Sequence, residues 1–107
     1  MTTPTYTSTI YIAGDLNKIK DVCRRYCLIG LCVSVTPTDF IFTGGCETGA
    51  AIGLINYPRF PSTTTVIDEA ARELAAMLLK ECCQRSCTIV NPNTTEYIQN
   101  DEITIPR

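Results

Sequence analysis

Residues 8–30, with the sequence STIYIAGDLNKIKDVCRRYCLIG, decide the fold class because they hold a strand and a helix in succession. Isoleucines alternate with polar neighbours at the start, which predicts a strand over residues 8–13. Asp15 can then accept hydrogen bonds from the free N–H groups of a first helical turn. Apolar residues recur at every third or fourth position after it, which predicts an amphipathic helix over about 15–29 that ends at Gly30.

The rest of the chain adds alternating apolar segments and one more helical pattern. The run Pro37-Thr38-Asp39 predicts a turn between two strands, since proline and aspartate favour turns. The segment after Ser62–Thr65 repeats apolar residues at helical spacing and predicts a long helix with Arg85 near its end. Further strands are expected at 31–36, 40–42, 50–57 and 87–90.

The predicted element order is β-α-β-β-β-α-β with a C-terminal tail. This order favours an α+β two-layer sandwich, in which two helices cover one face of an antiparallel sheet, close to the ferredoxin-like order with one extra strand. All 107 residues are expected to form a single domain, 1–107, with a core over about 8–91 and a tail over about 92–107. In the tail, Glu102–Ile105 alternates in polarity and suits an edge strand, a lid or an arm to a partner subunit.

The net charge and the hydropathy of the chain argue against two classes of binding partner. The formal net charge of −2 argues against duplex nucleic acid, because proteins that bind it present a basic face. No apolar run approaches the ~20 residues of a membrane span, so no membrane partner is expected. The first residues, MTTPTYTSTIYIAG, lack the basic start and the apolar middle of a secretory signal, which predicts a cytoplasmic protein.

The sequence contains seven cysteines and no histidine. An odd count without a leader argues against a secreted disulfide framework and favours free thiols that pack as small hydrophobic side chains. Zinc is the alternative, since Cys23/Cys27 and Cys83/Cys87 are each four positions apart. The first pair lies inside a helical pattern, so the sequence predicts neither a metal nor a cofactor.

The residues give little support to catalysis. Histidine, the commonest general base, is missing. Cys46 lies within the glycine-rich stretch Gly44–Gly49 and is the one credible nucleophile, because backbone N–H groups there could stabilise an oxyanion. The sequence identifies no base for that thiol. We therefore expect that the chain is not an enzyme, and a small thiol enzyme that uses Cys46 is kept as an alternative.

The segment 43–61, TGGCETGAAIGLINYPRFP, suggests a binding site for a small anionic nucleotide. Its glycines let backbone N–H groups approach an anion. Near its end, Arg59 can pair with a phosphate while Tyr57 and Phe60 stack on a purine. In the alternative interpretation the two rings belong to the core and Arg59 is solvated. The predicted contacts from this segment are Thr43, Gly44, Gly45, Asn56, Tyr57, Arg59 and Phe60.

Three further contacts are expected outside this segment. Asn91 and Asn93 follow the last predicted core strand and could meet a ribose or a base edge, although turn chemistry explains both equally well. Arg107, at the C-terminus, would contribute only if the tail folds over a pocket.

Three stretches resemble the first type of Thoeris anti-defence protein, a family of small phage proteins: residues 10–14 (IYIAG), 40–45 (FIFTGG) and 56–61 (NYPRFP). The similarity spans about residues 8–93. It implies a non-enzymatic sponge that captures the cyclic ADP-ribose isomer made by bacterial TIR proteins, and so blocks anti-phage signalling in the infected bacterial cell. Some members of the family also hold cyclic oligonucleotides at a separate site.

Carried onto this chain, the resemblance implies Arg59 as a phosphate contact and Phe60 or Tyr57 against the adenine. It implies Asn91 or Asn93, together with Arg107, as further contacts, and a homo-oligomer, dimeric or larger. The competing hypothesis is a protein-interaction module of a phage or bacterium, in which Phe60 anchors an interface.

Overall fold

The structure is a computed structural model, and it describes residues 1–100. The described chain forms five strands and two α-helices. The strands are β1 (Thr7–Ala13), β2 (Ser34–Phe42), β3 (Gly45–Ile55), β4 (Ser86–Val90) and β5 (Thr95–Gln99), and the helices are α1 (Leu16–Tyr26) and α2 (Thr64–Glu81). A short 3-10 helix, Cys27–Ile29, extends α1.

The strands form one antiparallel sheet in the order β2-β3-β1-β4-β5. β1 is the central strand, and its Ile10 lies opposite Ile52 of β3 and Ile89 of β4. The succession β1-α1-β2-β3-α2-β4 is that of the ferredoxin-like fold, and β5 is added at the edge beside β4. The predicted two-layer α+β sandwich is therefore confirmed.

The core lies between the sheet and the two helices that cover one of its faces. Asp15 caps α1 as the sequence predicts, because its side chain accepts a hydrogen bond from the Asn17 backbone N–H at 3.1 Å. Gly30 ends the helical segment in the left-handed region, with φ +101°. The side chains that are completely buried between the two layers include Ile10, Ile19, Val22, Ile52, Leu74 and Leu78.

The opposite face of the sheet carries polar, small and aromatic side chains. Tyr11, Thr88 and Tyr97 lie side by side across β1, β4 and β5. Both tyrosine side chains are exposed. Successive side chains of a strand point to opposite faces of the sheet, so every second residue lies on the face that the helices do not cover. We call this surface the open face.

The predicted turn at Pro37-Thr38-Asp39 is wrong, because these residues lie inside β2. Pro37 lies opposite Ala50, and β2 is an edge strand of the sheet that residues 1–100 form, where a residue without an N–H is tolerated. The segments 31–36 and 40–42 thus contribute to one strand. The extra strand of the fold is β5, which follows β4 and does not lie between the helices.

β5 carries the sheet to Gln99, past the position near residue 91 at which we expected the core to end. The tail expected from residue 92 therefore begins with a strand of the sheet. The alternating segment 102–105 and Arg107 lie outside the described residues. Within residues 1–100, no helix combines the length and the apolar character that a bilayer span requires.

Candidate functional site

An aromatic pair lies in the loop that joins β3 to α2. The ring centroids of Tyr57 and Phe60 are 5.4 Å apart and the rings are tilted by 45°. The Phe60 backbone N–H donates to the Tyr57 carbonyl oxygen at 3.1 Å, so a hydrogen-bonded turn fixes the spacing of the two residues. We call residues 56–61 the aromatic loop.

A cavity of about 140 Å³ opens beside these rings. It is lined by Tyr57 and Phe60, by the core residues Leu54 and Ile67, and by Cys32 from the segment before β2. Of the described residues that line this aromatic cavity, none is charged. Its size and its lining suit a planar, largely apolar group such as an adenine ring.

Cys32 and Tyr57 interact at this cavity. The Cys32 thiol donates to the Tyr57 phenol oxygen at 3.5 Å. The pKa of Tyr57 is raised, first by this interaction with the Cys32 thiol and then by partial burial. Tyr57 therefore stays a neutral phenol at physiological pH and offers a hydroxyl and a ring face to a ligand.

Asn56 uses its polar groups to hold the aromatic loop in place. Its Nδ2 donates to the Pro4 carbonyl at 2.9 Å, and its Oδ1 accepts from the Ser62 N–H at 2.9 Å. Its backbone N–H donates to the Tyr6 carbonyl, and its carbonyl accepts from Thr3 Oγ1. The structure thus places this predicted ligand contact in a positioning role, between the N-terminal segment and α2.

Arg59 lies at the tip of the aromatic loop with its side chain exposed. It is not among the residues that line the aromatic cavity, and within residues 1–100 it forms no ion pair. Its two aromatic neighbours are not sunk in the interior, since Phe60 is 54% exposed. The guanidinium is therefore available at the surface and is not held between rings.

The predicted glycine contacts lie far from the aromatic loop. Thr43 and Gly44 make the turn between β2 and β3, where Gly44 has φ +87°, and Gly45 begins β3. Ile55 ends the same strand, so about 30 Å of extended chain separates the turn from the loop. The structure does not bring the two groups of predicted contacts together. Cys46 is exposed on this hairpin, opposite Ile41.

Asn91 and Asn93 shape the turn between β4 and β5. The Asn91 Oδ1 accepts from the backbone N–H groups of Asn93 at 2.9 Å and of Thr94 at 2.8 Å. Its Nδ2 donates to Asp68 at 3.4 Å. This is the Asx-type chemistry that asparagine provides at turns.

A polar pair that the sequence did not predict lies at the same end of the sheet. The Tyr6 hydroxyl donates to both carboxylate oxygens of Asp68, at 2.9 and 2.8 Å. Burial and this carboxylate raise the pKa of Tyr6. No local pattern could reveal the pair, because Tyr6 precedes β1 and Asp68 lies in the first turns of α2.

The cysteines divide by burial. All seven are free thiols. Burial raises the pKa of Cys23 and of Cys87 to about 11, so both are protonated at neutral pH and pack as small apolar side chains. Cys32, Cys46 and Cys83 are exposed. In the part of the chain that the structure describes, no three Cys, Asp or Glu side chains are grouped to hold a metal ion.

No protein-family model matches the sequence, and no curated protein matches it. Two solved structures are similar. One is a phage SAM lyase in complex with S-methyl-5'-thioadenosine, with 13% sequence identity, 94% of both chains covered and a TM-score of 0.72. The other is a phage SAM lyase in the apo state, with 15% identity, 90% of both chains covered and a TM-score of 0.70. At this identity the similarity shows a shared fold.

Two sequence-based expectations change with these structures. The expectation that the chain is not an enzyme is overturned, because both structures show its fold in a lyase. Both similar structures are phage proteins and one holds a small ligand, so the chain shares its fold with proteins of phages. Neither is a Thoeris anti-defence protein, so the cyclic ADP-ribose sponge is a hypothesis that they leave unsupported.

Proposed function

We propose that this chain is a lyase that binds S-adenosylmethionine with its adenine in the aromatic cavity and releases methylthioadenosine. The observation that carries the proposal is the fold shared over 94% of both chains with a phage SAM lyase that holds S-methyl-5'-thioadenosine. The Tyr57 and Phe60 rings support it, since they provide a stacking surface for adenine at a cavity of suitable polarity.

The uncharged lining of the cavity favours S-adenosylmethionine over a cyclic ADP-ribose isomer. S-adenosylmethionine brings an uncharged adenosine and a sulfonium cation that an aromatic ring face attracts, and its α-ammonium and α-carboxylate would lie outside the uncharged lining. A cyclic ADP-ribose isomer would bring two anionic phosphate groups, which require cationic or N–H partners. No charged side chain among the described residues lines the cavity. Arg59 could meet a phosphate only outside it.

The absence of histidine from the sequence is compatible with this reaction. The bond between the sulfonium sulfur and Cγ of the methionine part breaks, and its electron pair goes to sulfur. The leaving group is then a neutral thioether, which needs no general acid. The carboxylate of the substrate itself can form the new bond to Cγ, so the products are methylthioadenosine and a lactone, with no water or further reactant consumed.

The contribution of the chain would be binding and orientation. The carboxylate of free S-adenosylmethionine is rarely in contact with its own Cγ. A site that binds the molecule in this conformation can lower the activation barrier of lactone formation by several kcal/mol. The rings of Tyr57 and Phe60 would hold the adenosine, and the apolar Leu54 and Ile67 would keep water from the sulfonium. Cys32 would present its thiol to the ligand beside the Tyr57 hydroxyl.

The experiment is a turnover assay on the purified chain. S-adenosylmethionine, S-adenosylhomocysteine and a cyclic ADP-ribose isomer are incubated with it separately, and the denatured mixtures are separated by liquid chromatography. We expect methylthioadenosine from the first ligand and intact recovery of the second, whose neutral sulfur is a poor leaving group. Intact recovery of all three would refute the lyase, and retention of the cyclic ADP-ribose isomer alone would favour the sponge.

A further inference from the structure

A second cleft lies at the other end of the sheet from the aromatic cavity. The central strand β1 ends at Ala13, whereas β3 on one side continues toward Gly45 and β4 on the other side begins at Ser86. The cleft left between them has a volume of about 300 Å³ and is lined by Ala13, Glu47, Cys83, Gln84, Arg85 and Ser86. β1 spans about 20 Å, so the two cavities are separate sites.

Two opposite charges line this cleft without meeting. Glu47 belongs to β3, and Arg85 immediately precedes β4. These strands flank β1, so their backbones are about 10 Å apart. Within residues 1–100, neither side chain forms an ion pair. An exposed carboxylate and an exposed guanidinium thus share one cleft, and both can bind charged groups of a ligand.

The backbone that carries Arg85 is held firmly. The Gln84 N–H donates to the Leu79 carbonyl at 3.0 Å, which closes the C-terminus of α2. Asn100 adds two hydrogen bonds, from its backbone N–H to the Arg85 carbonyl at 2.7 Å and from its Nδ2 to the Gln84 carbonyl at 3.2 Å. This wall of the cleft is therefore ordered before any ligand arrives, which lowers the entropy lost on binding.

We propose that this cleft is a binding site for a free α-amino acid in its zwitterionic form. The ligand ammonium would donate to the Glu47 carboxylate, and its carboxylate would accept two parallel hydrogen bonds from the Arg85 guanidinium. An α-amino acid carries these two charges on one small unit and so bridges a gap that the protein side chains leave open. The small Ala13 leaves room for the rest of the ligand.

The site can be tested through the thiol that lines it. Cys83 is exposed in the cleft, and Cys32 lines the aromatic cavity, so each reports on one site. The chain is treated with iodoacetamide in the presence of the common L-amino acids, one at a time, and alkylation of each cysteine is followed by peptide mass spectrometry. We expect at least one amino acid to slow alkylation of Cys83 and to leave that of Cys32 unchanged.

Charge-deleted ligands and variants complete the test. The methyl ester of the protecting amino acid lacks the carboxylate charge, and its N-acetyl form lacks the ammonium. We expect each derivative to bind at least about tenfold more weakly than the free amino acid. Glu47→Gln or Arg85→Gln should lower the affinity for the free amino acid by a similar factor. Arg24→Gln, an exposed arginine on α1, is the matched control and should change nothing.

Two outcomes would overturn the amino-acid site. Either no amino acid protects Cys83, or the ester and the N-acetyl form bind as well as the parent amino acid. The outcome is independent of the proposed lyase, because methylthioadenosine should protect Cys32 and leave Cys83 reactive if only the first proposal is correct.

Discussion

Replacing Phe60 with alanine removes one of the two rings that we expect to hold an adenine. The Phe60 side chain is 54% exposed, so its loss should change the stability of the free chain little. Stacking of a base on an aromatic ring contributes about 1–3 kcal/mol. The variant should therefore bind methylthioadenosine about 5- to 150-fold more weakly, since each 1.4 kcal/mol corresponds to a factor of about ten.

The measurement is isothermal titration calorimetry with methylthioadenosine, supported by thermal unfolding of each variant. The matched control is Tyr97→Ala, which deletes a ring that is 65% exposed on the open face, away from the aromatic cavity. We expect the control to bind as the unmodified chain does. Equal affinities for the Phe60→Ala variant and the unmodified chain, or an equal loss in the Tyr97→Ala control, would show that the rings do not form the adenine site.

Three predictions concern stability. Gly49→Ala should destabilise the fold by about 3 kcal/mol in urea unfolding, because the added Cβ would lie 2.1 Å from the Ile12 carbonyl oxygen; an unchanged midpoint would contradict this. Cys83→Gly should stabilise by about 1 kcal/mol and raise the melting temperature, since Cys83 has φ +54°; a lower melting temperature would argue against strain there. Cys23 and Cys87 have their pKa raised from 9.0 to about 11, so their contribution to stability is complete below about pH 9 and is lost as pH rises through 11. Melting curves across that range test it, and a flat profile would refute it.

The fold follows from short-range patterns to a large degree. The strand at 8–13, the Asp15 cap of α1 and both helices are specified by residues close to one another in sequence, and the structure has these elements near the expected positions. The turn predicted at Pro37 was wrong, because proline is tolerated inside a strand that lies at an edge of the sheet. That property is set by the order of strands and cannot be seen locally.

The candidate site could be predicted only in part, because it also depends on how distant segments are arranged in the fold. Tyr57 and Phe60 are close along the chain, so the motif that contains them predicted a shared surface, and the structure places both at one cavity. The glycine turn at Gly44 lies at the far end of a long strand, a distance that no motif encodes. The pairs formed by distant residues, such as Tyr6 with Asp68, depend on how α2 packs against the start of β1.

The central position of β1 has a consequence for folding during synthesis. β1 leaves the ribosome before its two neighbours β3 and β4, and Ile10 can meet Ile89 only after β4 has emerged. During synthesis β1 therefore keeps at least one unpaired edge until β4 has emerged, and pairing across such separations is slow. Premature termination before residue 86 would leave one edge of that strand bare, and such fragments should aggregate or be degraded.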